Sequence, residues 1–131
     1  MSKAKQKGTA FETAVTRYMK SYFPNVERRA LQGVNDTGDI AGISIHGKPM
    51  VVECKNTKTL NITEHLQELD REQQNAHTKW GVLVQHAPRV GFDNDGNTGK
   101  QWAIMPLHTL MELLWKANAS DQQTGEDHDR G

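Results

Sequence analysis

The sequence is short of cysteine, of long apolar runs and of net charge. A single cysteine, Cys54, among 131 residues excludes an internal disulfide and suits a reducing compartment, so a cytoplasmic protein is expected. No apolar run approaches the roughly 20 residues that a membrane-spanning helix needs. The residues after Met1 are polar and basic, so neither a signal peptide nor a membrane partner is expected. Sixteen basic and sixteen acidic residues cancel, which by itself argues against a polyanionic partner.

The charge is unevenly spread, however. Lys3, Lys5, Lys7, Arg17, Lys20, Arg28 and Arg29 load the first quarter, against Glu12 and Glu27. Asp121, Glu126, Asp127 and Asp129 load the last stretch, against Arg130. A basic body with an acidic tail hints at an anionic partner, and a merely solvated basic end is the alternative. The length suits one domain with a hydrophobic core of its own.

Along the chain, residues 1–7 read as a mobile polar start. Phe11, Val15, Tyr18, Met19 and Tyr22 recur at helical spacing, so a helix is predicted from an N-cap at Thr9 to a stop at Pro24. A short strand follows at 26–31, then the turn-rich QGVNDTG, then a hairpin over 39–55 with its turn at 46–49. A second helix is expected from an N-cap at Thr63 to about His77, with a thin apolar face of Leu66, Leu69 and Ala76. GVLVQ at 81–85 and QWAIM at 101–105 read as strands. Leu107, Leu110, Met111, Leu114 and Trp115 mark a last amphipathic helix. Residues 1–117 form the predicted domain, and 118–131 a polar, acidic, disordered tail. The fold class is α/β, a mixed β-sheet flanked by helices.

The hairpin carries charges that a core strand rarely holds. Side chains alternate along a strand, so Glu53 and Lys55 share one face and Cys54 takes the other. Asp39 begins the partner strand, roughly opposite residues 53–55. Two carboxylates so close repel unless a cation lies between them. Mg2+, with Mn2+ as a substitute, takes one or two carboxylates, waters and substrate phosphate. Asp39, Glu53 and the backbone carbonyl of Cys54 are the candidate ligands. Lys55 beside them can orient or activate a water, or offset charge on a phosphate. Those are the parts that phosphodiester hydrolysis requires. Glu12 lies on the edge of the first helix's apolar stripe, about 100° from Phe11, and can look toward the same patch. An acid that merely favours the first turn of a helix is the plainer reading.

Gly38-Asp39 followed by Glu53-Cys54-Lys55 resembles the PD-(D/E)XK nuclease superfamily, with glycine where that family usually has proline. Lys7-Gly8-Thr9-Ala10-Phe11-Glu12 resembles the KG-x-x-[FY]-E opening of archaeal-type Holliday junction resolvases, and VVECKNT resembles their strand end. The resemblance runs over about residues 5–115. It implies a restriction-endonuclease-like core, with catalytic Glu12, Asp39, Glu53 and Lys55. It also implies a homodimer using Mg2+ to nick four-way DNA junctions in recombination and repair. Other branched, flap or duplex DNA, and a non-catalytic DNA-binding dimer on the same scaffold, stay open.

Lys5, Lys7, Arg28 and Arg29 are candidate phosphate contacts, with a solvated face as the alternative. Gln74, on the helix after E-x-K, is a further candidate. Cys54 reads as a core residue. The six histidines show no metal-ligand spacing. Asp93 to Asn97 lacks the glycine and glutamate positions of a calcium loop and reads as a turn. Trp80, Trp102 and Trp115 read as core or dimer residues.

Overall fold

The computed structural model describes residues 2–29 and 33–130, leaving aside the side chains of residues 34, 120 and 122–130. Residues 30 and 31 of the predicted first strand, and Gln32 of the loop after it, lie outside the described set.

The first helix, α1, spans Lys3–Lys20. It begins earlier than the Thr9 cap predicts because the Ser2 hydroxyl accepts from the Lys5 N–H at 3.1 Å. Lys, Ala and Gln are good helix formers, so the basic start is helical rather than loose. Phe11, Ala14 and Val15 bury the face that meets the sheet. A side chain of the size of Phe11 contributes about 1.5–3 kcal/mol when fully buried.

The 39–55 segment is less regular than a simple hairpin. It forms β2 (Ile40–Ala41), then a small two-stranded ribbon of β3 (Ser44–Ile45) and β4 (Lys48–Pro49), then β5 (Val51–Lys55). Gly42 separates β2 from β3. Its φ of 115° suits glycine, and a Cβ there would come within 2.6 Å of the Asn25 carbonyl oxygen. With β1 (Glu27–Arg28), β6 (Gly81–Gln85) and β7 (Trp102–Ile104), the main sheet runs β1-β2-β5-β6-β7. Only β5 and β6 pair in parallel, so the sheet is mixed.

Helix α2 (Ile62–Asn75) makes the crossover between the two parallel strands. Both faces of β5 and β6 are covered, which explains their nearly continuous apolar sequences. Val52, Cys54, Val82 and Val84 join Phe11, Val15 and Ile40 in one core layer. Val51 and Leu83 join Leu69 of α2 in the other. Glu53 pairs in register with Leu83, so it faces α2. The 91–100 loop holds a single helical turn, α3 (Asp95–Thr98), capped by Asn94. Helix α4 spans Leu107–Arg130. Composition predicts disorder from residue 118, whereas here the backbone continues as helix. No proline interrupts the stretch, and Asn118 bonds back to the Leu114 carbonyl at 3.1 Å. No helix among the described residues is long and apolar enough to cross a membrane.

Candidate functional site

Ile40 pairs with Val52, which sets Asp39 beside the end of β5. Its backbone N–H donates to the Val52 carbonyl at 2.8 Å, and its Oδ2 accepts the Cys54 N–H at 2.8 Å. The carboxylate is therefore tied to the backbone of the E-x-K strand. Gly38 makes the approach possible. Its φ is 106°, and a Cβ there would lie 3.0 Å from both the Val52 carbonyl oxygen and Val51 Cγ1. Proline is fixed near a φ of about −65° and cannot adopt this backbone, so glycine is the local requirement.

Glu53 is only 3 % exposed. Lys55 Nζ lies 3.7 Å from its Oε1 and 2.9 Å from Glu68 Oε2 on α2. Burial acts to lower the Lys55 pKa, but the hydrogen bond to Glu68 and the charges of Glu53 and Glu68 outweigh it and raise it. The amine is therefore held as a cation.

The acids have the opposite difficulty. Glu53 is pushed up to about 12, first by burial and then by Glu72 and Asp39. Glu12, half-buried on α1, is raised to about 7 by burial and by Asp39. Glu72 of α2 is 2 % exposed and raised to about 7, chiefly by burial. A proton can be shared between Glu53 and Glu72 or Asp39. Without one, Glu53 Oε2 and both Glu72 oxygens are buried with no donor.

One cleft of about 720 Å3 collects most of the residues singled out from the sequence. Glu12, Asp39, Glu53, Cys54 and Lys55 line it, as do Lys5, Arg28 and Arg29. Arg29 donates to the Thr37 hydroxyl, and its backbone N–H donates to the Asp39 carbonyl at 2.7 Å. Lys7 is not part of this cleft. It lines a separate depression with Asn56, Lys58 and His86. Gln74 lines a neighbouring depression with Asp36, Glu68 and Glu72, and its side chain donates to Asp70 at 2.8 Å. The Cys54 thiol is buried in the core, its pKa pushed up by burial and then by Asp39. His86 bonds the Val90 carbonyl at 2.7 Å and packs edge-on to Phe11 and Phe92, a structural task.

No family model, curated protein or solved structure matches this chain.

Sequence reasoning missed Glu68 and Glu72 and did not place Asp36 among the site residues. Asp36 lines the cleft, and its Oδ1 accepts the Gly38 N–H at 2.8 Å. The carboxylate oxygens of Asp36, Glu53 and Glu72 can all lie within 4.8 Å of one another. The two helix acids had a readable signal. His65, Glu68, Leu69 and Glu72 stand at i, i+3, i+4 and i+7, the face that α2 turns to the sheet.

Proposed function

We propose that the chain is a Mg2+-dependent endonuclease of PD-(D/E)XK type that hydrolyses phosphodiester bonds in DNA, with four-way junctions as its main substrate. Its carrying observation is the meeting of Glu12, Asp39, Glu53 and Lys55 in one cleft, where a buried Glu53 oxygen has no donor. Asp39, Glu53 and the Cys54 carbonyl form a hard oxygen donor set suited to Mg2+ or Mn2+, and the orphaned Glu53 oxygen is what such a cation would satisfy. The bound cation would supply Lewis acidity toward the phosphate and its water.

The chain's own residues do the rest. Arg28, Arg29 and Lys5 line the cleft and offer positive charge to the DNA backbone. Hydrolysis forms a bond from water oxygen to phosphorus, breaks one phosphate ester bond, and leaves the departing oxygen as a hydroxyl that has taken up the proton water gives up. Lys55, kept protonated by Glu68 and Glu53, offsets negative charge that builds on the phosphate oxygens. That favours an orienting ammonium over a proton-accepting amine. Glu12, with its pKa raised to about 7 beside Asp39, can hold a proton at its carboxyl near neutral pH.

Two nicks in a junction need two sites, and a twofold dimer provides them. Exposed apolar side chains on α4 and β7, including Leu107, Met111, Trp115 and Trp102, support such pairing. The test compares a labelled four-way junction with a linear duplex of the same sequence, in Mg2+. Paired nicks confined to the junction are expected. Equal cutting of both would leave a nuclease without junction preference. Binding without cutting would favour a non-catalytic scaffold.

A further inference from the structure

Glu72 is a buried acid with no basic partner among the described residues. It sits at 2 % exposure on the inner face of α2, and no basic or neutral group donates to its carboxylate oxygens; the neighbour in hydrogen-bond reach is Glu53, another acid. The nearby ammonium of Lys55 is engaged elsewhere, by Glu68 at 2.9 Å and Glu53 at 3.7 Å. Oxygens of Glu72, Glu53 and Asp36 all lie within 4.8 Å of one another, and Glu53 Oε2 is a further buried oxygen without a donor. Leaving such groups buried and unpaired is costly, and a cation among them removes the cost.

We infer that Asp36, Glu53 and Glu72 form a second divalent-cation site, which shares Glu53 with the one assigned to Asp39, Glu53 and the Cys54 carbonyl. Asp39 is not one of the three, and its Oδ2 is already directed at the Cys54 N–H. The ligands come from three elements: the loop before Gly38, β5 and α2. A hard cation there ties the loop and the helix to the sheet. Its ligands are all carboxylate oxygens, so Mg2+, Mn2+ or Ca2+ fits and a thiophilic metal does not. The inference goes beyond the nuclease reading, since it requires cation binding only.

The experiment counts Mn2+ bound to the metal-stripped full chain by electron paramagnetic resonance. Thermal unfolding is recorded on the same samples. Glu72→Gln should bind one Mn2+ fewer than the wild type, or bind that ion at least about tenfold more weakly. Asp36→Asn should weaken the same ion, because Asn retains an acceptor for the Gly38 N–H but loses the charge. Asp39→Asn should keep it. Mn2+ should raise the unfolding temperature of Glu72→Gln less than that of the wild type.

Unchanged Mn2+ number and affinity in Glu72→Gln would overturn the inference, and so would a wild type that binds none. If Glu72→Gln fails to fold, Asp36→Asn decides, and unchanged binding in it is equally fatal. A chain that binds Mn2+ through Glu72 yet cuts no DNA keeps this site and loses the nuclease. A chain that cuts DNA with binding unaffected by Glu72→Gln does the reverse.

Discussion

Two regions of this protein invert the usual rule of burial. Where β5 meets α2, carboxylates are buried: Glu53 and Glu72 are 3 % and 2 % exposed. Along α4, apolar side chains are bare, with Leu107 at 72 % and Trp115 at 75 %. Each arrangement is unfavourable for the chain alone. Cations would relieve the first, and an apolar partner surface would relieve the second. The contrast also separates their roles. On the proposed function, cations and a DNA phosphate would occupy the cleft, and a second copy of the chain would cover α4.

The largest expected effect concerns the cleft. Asp39→Asn keeps an acceptor for the Cys54 N–H but removes the charge, and DNA cleavage should fall at least about a hundredfold in a gel assay. Retained cleavage would detach Asp39 from the chemistry. Next, Gly38→Pro restores the residue usual in the resembling family but conflicts with the backbone there. It should destabilise by at least about 2 kcal/mol in denaturant unfolding. A variant as stable as the wild type would show that residue 38 does not need a positive φ.

The cleft should also make stability depend on pH. The folded pKa values of Glu12, Glu53 and Glu72 are raised above the ordinary 4.5. The folded state therefore binds more protons than the unfolded state above that pH, so metal-free stability falls as pH rises. Glu12 and Glu72 complete their share near pH 7, while Glu53 continues to oppose folding beyond it. Thermal unfolding from pH 4.5 to 7 should show the decline, and Mg2+ should flatten it. A metal-free protein that grows more stable across that window would contradict the burial argument.

The α4 region should respond differently. Trp115→Lys should turn a dimer into a monomer in sedimentation while changing monomer stability by no more than about 0.5 kcal/mol. A clear loss of monomer stability would mean that Trp115 belongs to the fold. The smallest effect is expected from ending the chain at 117. Removing the acids Asp121, Glu126, Asp127 and Asp129 should modestly tighten DNA binding at low salt.

How much of this was legible depended on the kind of signal. Asp39, Glu53 and Lys55 stood out because charge at a strand end conflicts with strand chemistry, and alternation then fixed their shared face. For Glu12 the edge of a helical stripe left the role open, and the resemblance to the KG-x-x-[FY]-E opening singled it out. Glu72 was hidden because a polar residue on a mostly polar helix looks solvated until the crossover packs that helix on β5. Ser2 was passed over because a cap is recognised by the residues after it, and basic residues there suggested a loose end. The hairpin register was nearly right, but Gly42's closeness to Asn25 comes from a tertiary contact that no local pattern contains. Periodicity identified the apolar face of α4 yet said nothing of what covers it. Gln74 was placed by analogy, and it lines a depression beside the cleft rather than the cleft itself.

The central claim is that charge is buried at the end of β5 because cations and a phosphate are handled there. Glu53→Gln tests it most directly, with cleavage and thermal unfolding measured on the same preparation. The account predicts that wild type cuts DNA in Mg2+ and stops on chelation. It predicts that Glu53→Gln cuts at least about a hundredfold more slowly, while melting no lower than the metal-free wild type. A variant that cuts as fast as the wild type, or a wild type inert in both Mg2+ and Mn2+, would contradict it.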